Sequence, residues 1–464
     1  MSLPDTPRPA PGTPRPYRFP LATRTTLDSG LTLVACHLPG RRVGSARLIL
    51  EAGISREEPA QAGVATLAAR SLTEGTENHD AAGFAGATER LGADIAVDAG
   101  WDSVQGSLTV PVSHFEPGLG LLAEAILRPT FPAPEVARLQ SERLNDIKQE
   151  HADPNQRAQH AFLETVYTPE SPYARPAGGT VATVGSLTRD QVEAFYRSHA
   201  GPTGATLVLA GDLEGLPVEG IAENLFGSWS GPAPEAAGPQ VGEALTETTV
   251  TLVTRPRAVQ SALVVGHMGV PRLIPDYFET TLAATVLGGL FTSRLNLKLR
   301  EEKGYTYGVR AWFDSRRQAG PFGMGTSVAT LVTVDALTDA LDEIRRLHDD
   351  GVTAEELAFA QDYLVGVFPL AFETPEAISQ AIARAIVYGL PDDYYQTYRP
   401  SMQAVTVEGA SDAAARRIRP DRMAIVVVGD GELAGPLKDA GFGPVTVVED
   451  ESPEEAGEDP KDEA

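Results

Sequence analysis

Arg300 and Tyr307 stand seven residues apart in the run TLAATVLGGLFTSRLNLKLREEKGYTYGVRAWF, residues 281–313, and offer a permanent cation beside a phenol. When a peptide bond is hydrolysed its carbonyl oxygen gains negative charge, and a phenolic O–H held in place donates to it. A guanidinium, with five donors in a rigid fork, fixes the register of a substrate carbonyl or carboxylate. Both residue types also serve plain structure, here as a surface ion pair of Arg300 with Glu301 and a strand aromatic at Tyr307.

The elements around the pair set its geometry. LNLKLREEKG reads as a helix with a basic last turn, and Gly304 can take the left-handed cap. From Tyr305 the pattern YTYGVRAWF alternates as a strand does. Arg300 then sits in the last helical turns and Tyr307 early in the strand, a tight turn directing both at one cleft. Gly288–Gly289 lack a following lysine and read as close packing.

Other catalytic patterns fall away. Asp28-Ser29-Gly30 occurs once, directly before the strand LTLVAC, and reads as a turn. No Gly-x-Ser-x-Gly elbow and no Gly-Lys-Ser/Thr phosphate loop occurs. The eight histidines, at 37, 79, 114, 151, 160, 199, 267 and 348, include no pair at the i, i+3 or i, i+4 spacing that places two ligands on one helical face. The one cysteine, Cys36, excludes an internal disulfide and a cysteine-based zinc cluster, and reads as a packed thiol in a strand.

A motif order recurs at an offset of about 220 residues: ATLVLAGDLE ending at Glu214 and MAIVVVGDGE ending at Glu432, PAPEVARLQSERL (132–144) and TAEELAFAQDYLV (353–365). The Gly, Pro and Ala-rich stretch 227–248 between the repeats reads as a linker. Strands such as SARLILEAG and SVQGSLTVPV interleave with helices such as PAQAGVATLAARSL and DAAGFAGATERLG. That mixture points to the α+β class and not to a regular parallel sheet.

The block VLGG-x-x-x-SRL-x-x-x-LRE-x-x-GY-x-Y, residues 286–307, resembles the segment of the M16 (pitrilysin/mitochondrial processing peptidase) family that carries its substrate-binding arginine and tyrosine, with Tyr305 where the family has leucine. ILEAGISREEPAQAG resembles the lead-in to the family's zinc helix, and TEGT at 73–76 its trailing Gly-Thr. Where the family reads His-x-x-Glu-His, this chain holds Thr66, Ala69 and Arg70. The third ligand is a glutamate some seventy residues on; in SERLNDIKQEHADP its position falls on Gln149, with Glu150 one residue off the required face. His79 follows the slot closely and reads as a turn residue.

The resemblance spans about residues 18–445 and implies a non-catalytic M16B-type subunit. Two homologous LuxS/MPP-like metallohydrolase-type domains, each a mostly antiparallel sheet packed with helices, would form half of a clam-shell. This chain would bind no metal, and Arg300 and Tyr307 would act at a zinc site in a partner subunit with an intact His-x-x-Glu-His. The alternative is a catalytically inactive structural or peptide-binding homodimer. The domains expected are a Pro-rich extension over 1–17, an N-terminal domain over 18–230, a linker over 231–245, a C-terminal domain over 246–445 and an acidic disordered tail over 446–464.

Composition bounds the partners. The net charge of −25 argues against nucleic acid and anionic membrane surfaces, and leaves basic peptides compatible as ligands. The acidic run 449–464 holds nine acids and one lysine, a solvated composition. No apolar run of about 18 residues predicts a membrane span. The N-terminus, with seven prolines in twenty residues and no apolar centre, does not read as a secretory signal, so a cytoplasmic location is expected.

Overall fold

A computed structural model describes Gly12, residues 15–234 and residues 240–450. Two six-stranded sheets organise it. The first holds β1 (Thr23–Thr26), β2 (Thr32–His37), β3 (Val43–Leu50), β4 (Asp94–Ala99), β5 (Val104–Pro111) and β6 (Thr206–Gly211), in the order β1-β2-β6-β3-β5-β4. The second holds β7 (Thr249–Thr254), β8 (Gln260–Met268), β9 (Val309–Phe313), β10 (Pro321–Ala329), β11 (Ala424–Gly429) and β12 (Val445–Glu449), in the order β12-β7-β11-β8-β10-β9. The sheets are mixed: β2–β6, β7–β11 and β7–β12 are parallel and the other pairings antiparallel. The α+β class with two similar domains is therefore the observed architecture.

The repeat seen in sequence is a structural one. TLVLAG and AIVVVG become β6 and β11, central strands buried at every position, as a continuous apolar run requires when both faces are covered. After each strand an aspartate catches a turn: Asp212 Oδ2 accepts from the Gly40 amide at 3.0 Å, and Asp430 Oδ2 from the Arg257 amide at 2.6 Å. Gly40 has φ +76°; Arg257 holds the matching left-handed conformation, φ +63°, without being glycine. β5 alternates buried with half-buried residues and so shows one face to the core.

Each half lends a helix to the other. Helix Pro375–Val387, from the second half, covers the outer face of the first sheet, where Ile378, Ile382 and Val387 meet Val34, Cys36, Ile49 and Val208. Helix Pro154–Val166, from the first half, covers Val253, Ala262, Val264 and Val426 of the second sheet. Burying an aliphatic side chain of this size contributes about 1.5–3 kcal/mol. This exchange joins the halves into one body. The β9–β10 loop reinforces it: Arg317 makes a two-pronged ion pair with Glu51, and its amide donates to Asp102 Oδ2 at 3.0 Å.

Several expectations shift at the edges. Residues 446–449 complete β12, and Asp450 is pinned by Arg157 and Arg255, so the folded domain runs past the expected tail boundary at 446. The remainder of the tail, 451–464, lies outside the described residues, as do most of residues 1–14. Tyr17, at the end of the expected extension, packs its ring on Phe368 and Phe372. Cys36 is fully buried and burial pushes its thiol up to about 11, matching the reading of a packed thiol. Asp28-Ser29-Gly30 forms a turn, closed by the Gly30 amide on the Leu27 carbonyl. Among the described residues, no helix is long and apolar enough to cross a membrane.

Candidate functional site

The helix Val64–Ser71 forms where the zinc helix was expected. Its start is held by Glu57, whose buried carboxylate accepts from the Gly63 amide at 3.1 Å and the Ala65 amide at 2.8 Å. Burial pushes the Glu57 carboxyl up to about 7, against those hydrogen bonds and the nearby charge of Arg175. Thr66 and Arg70, one turn apart, are half-buried on one face, while Ala69 is buried in the core.

Across from that face, helix Ala133–Ala152 presents Asp146, whose Oδ2 lies 3.2 Å from Arg70 Nη1. Gln149, three residues further along, is exposed and, among the described residues, makes no hydrogen bond to the slot helix. Glu150 is engaged elsewhere: Arg143, buried between the helix and the Gly178 carbonyl, takes both its oxygens at 2.6 and 3.0 Å. Arg143 Nη1 also lies 4.0 Å from Asp146, so four side chains form one ionic row.

These residues do not fit zinc. A hydroxyl, a methyl and a guanidinium supply no nitrogen or carboxylate ligand, and Arg70 carries its own charge into the place of the cation. His79 belongs to a turn and is hydrogen-bonded through Nδ1 to Glu124 Oε1 at 2.9 Å. A second cluster, His37 with Asp212 and Glu214, brings three metal-capable groups together, but His37 Nδ1 already accepts from the Leu213 amide at 3.0 Å. That bond fixes the proton on Nε2 and leaves the ring no free lone pair.

In the second half, the segment before Arg300 is irregular. Helix Tyr277–Ala284 widens into a π-helical turn over Thr285–Gly289, and a second π-helical stretch runs over Asn296–Glu302. Gly288 packs directly on β9, where an added Cβ would lie 2.4 Å from the Ala311 nitrogen, so close packing is its role. Asn296 staples the region together. Its buried amide donates to the Leu290 and Val309 carbonyls at 3.0 and 2.9 Å, and its oxygen accepts from the Val309 amide at 3.2 Å.

Arg300 and Tyr307 differ in how they are held. The Arg300 guanidinium lies 3.2 Å over the Phe291 ring, donates to the Phe291 carbonyl at 3.1 Å and pairs with Glu301 at 2.9 Å. The plain ion pair with Glu301 is therefore present. Gly304 takes the left-handed conformation with φ +66°, as expected for the cap. The strand, however, begins at Val309 and not at Tyr305, which leaves Tyr307 in the turn, fully exposed at 101%. The turn is held by Thr306 and Thr326, which both bond the Gly308 carbonyl.

Phe291 and Tyr307 line one groove of about 990 Å³ beside β8, β9 and β10. Asn155 and Gln159 of the lent helix Pro154–Val166 form part of its wall, and Asn155 Oδ1 accepts from Ser327 Oγ at 2.9 Å. These wall residues, and Asn296, escaped the sequence reading. The one available signal was a lone asparagine inside the apolar alternation LNLKL; Asn155 and Gln159 join the groove only through the helix exchange. The lining contains Arg310 and no acidic residue.

Fold and site together describe a two-domain zinc-peptidase scaffold whose metal-ligand positions hold other residues. The family model described as insulinase, peptidase family M16, matches residues 33–177, and that described as the peptidase M16 inactive domain matches residues 186–364. The chain belongs to the M16 peptidase family. It resembles the crystal structure of a peptidase M16 inactive domain from Pseudomonas fluorescens, with TM-score 0.82 and 27% identity over 88% of this chain and 98% of that one. An uncharacterized zinc protease of Streptomyces coelicolor is 24% identical over 78% of this chain and 80% of its own length. A non-peptidase homologue of Helicobacter pylori is 23% identical over 80% and 85%.

Proposed function

We propose that this chain is the non-catalytic, substrate-binding subunit of a heterodimeric M16B zinc peptidase working in the cytoplasm. The observation that carries the reading is the Arg70–Asp146 ion pair in the zinc slot, which takes the chemistry out of this chain while the groove beside β9 stays open. A partner with an intact His-x-x-Glu-His motif brings the metal and the general base. This chain holds an unfolded peptide along the groove beside the edge strand β9. Tyr307, with nothing covering its phenol, donates to a substrate carbonyl oxygen. Arg300 leaves Phe291 to bind a backbone carbonyl or carboxylate.

One observation favours the second reading, an inactive peptide-binding homodimer: Arg300 is already satisfied within its own chain. Zinc content and peptide hydrolysis separate the two. The purified chain should carry no zinc and cleave nothing, and mixing it with an M16 chain that has the intact motif should give zinc-dependent cleavage above that of either chain alone. A mixture no more active than its parts moves the assignment to the homodimer. Stoichiometric zinc and cleavage by the lone chain would overturn both.

A further inference from the structure

We propose that Trp312 is a stacking platform for an aromatic side chain of the bound peptide, so that the groove selects uncharged, aromatic-bearing segments over basic ones. The inference rests on the reading of the groove as a peptide site and names the class of peptide it takes.

The chain's exposed aromatic surface is concentrated there. Among the described residues, the two most exposed aromatic rings are Tyr307 at 101% and Phe291 at 70%, and both line the groove. Trp312 lines it too, half-buried on β9. The other two tryptophans are engaged: Trp101 stands edge-on to Tyr173 with the Arg316 guanidinium over its ring, and Trp229 leans on Phe226. Among the described residues, Trp312 has no aromatic or cationic partner and its Nε1–H makes no hydrogen bond. A tryptophan packed for structure alone ordinarily finds a partner for that donor.

The neighbouring strand holds the ring flat. Gly323 and Gly325 of β10 lie opposite Trp312 and Arg310. An added Cβ on Gly323 would stand 2.9 Å from Trp312 Cζ2, and one on Gly325 3.1 Å from Cη2. Glycine weakens a strand and marks close approach. Here two of them clear a bed that the indole covers with one face, which leaves the other face to the groove.

Charge decides between occupants. A net charge of −25 draws basic peptides to the surface at large, but the groove lining has no acidic residue to hold one. Arg310 stands two residues before Trp312 on the same face of β9, about 7 Å along the strand. A lysine or arginine stacked on the indole meets that charge, whereas a neutral ring stacks without repulsion. Segments of this kind lie inside folded proteins, so the groove meets them in unfolded chains.

The test titrates the full chain by calorimetry with three peptides GSTAXTASG, blocked at both ends, in which X is phenylalanine, alanine or lysine. The phenylalanine peptide should bind saturably and at least about tenfold tighter than the other two. In Trp312→Leu the preference for phenylalanine over alanine should be lost, and in Trp312→Phe, which keeps a ring on the glycine bed, it should persist. The preference is the readout because a damaged fold weakens all three peptides alike, and thermal melting checks both variants. Equal binding of the phenylalanine and alanine peptides to the native chain, tightest binding of the lysine peptide, or an undiminished preference in Trp312→Leu would each overturn the platform and leave the peptide groove standing. No saturable binding of any of the three at about 1 mM would overturn both.

Discussion

The two halves share the order of five strands, β2-β6-β3-β5-β4 and β7-β11-β8-β10-β9, and a turn-catching aspartate, yet they carry their chemistry-facing segments differently. In the first, the slot helix Val64–Ser71 is regular, capped by Glu57 and closed on its open side by Arg70 with Asp146. In the second, the matching stretch breaks twice into π-helix and is pinned by Asn296. π-helical turns are rare and gather at functional sites. Metal ligands that project from an ordinary helix can be exchanged side chain by side chain with the scaffold intact. Groups presented by an irregular backbone persist as long as the packing that bends it.

The largest effect should come from reversing that exchange. The variant Thr66→His, Ala69→Glu, Arg70→His should change zinc content from none to close to one equivalent, measured by elemental analysis, because the regular helix places both histidines on one face. Adding Asp146→Ala should cut zinc affinity by about tenfold or more, and adding Gln149→Ala should leave it alone. The opposite pattern would return the third position to Gln149 and break the comparison as drawn.

On the other half, Arg300→Ala and Tyr307→Phe should each lower turnover of the assembled two-chain enzyme by about tenfold or more, with assembly unchanged. Tyr307→Phe should leave the melting temperature untouched, since that ring is fully exposed. Unchanged cleavage in both variants would remove these residues from the reaction.

The smallest effect concerns Glu57. Its folded pKa of about 7 stands above the ordinary 4.5, so between those values the folded chain holds more protons than the unfolded one. Its contribution to stability is fully present below pH 4.5 and is lost as pH rises through 7. Denaturation midpoints measured from pH 4.5 to 8 should fall less steeply in Glu57→Gln than in the native chain. An identical slope would place the titration elsewhere.

Much of this was legible in the sequence because it depends on residue type and order. The recurrence of Gly211–Asp212 as Gly429–Asp430 exposed the repeat, since a buried strand ending in a turn-catching aspartate leaves a short, distinctive string. The place of Thr66, Ala69 and Arg70 on a helix was legible from the flanking strings ILEAGISREEPAQAG and TEGT, and helix Val64–Ser71 carries all three.

Tertiary structure decided whatever depends on which faces meet. The pairing of Arg70 with Asp146, 76 residues away in sequence, needed helices Val64–Ser71 and Ala133–Ala152 laid side by side. Tyr307 alternates like a strand residue, but Asn296 fixes the start of pairing at Val309 and leaves the phenol in the turn. The groove itself unites residues as distant as Asn155 and Ser327, because each half lends a helix to the other's sheet and buries there an apolar face that its own half does not cover.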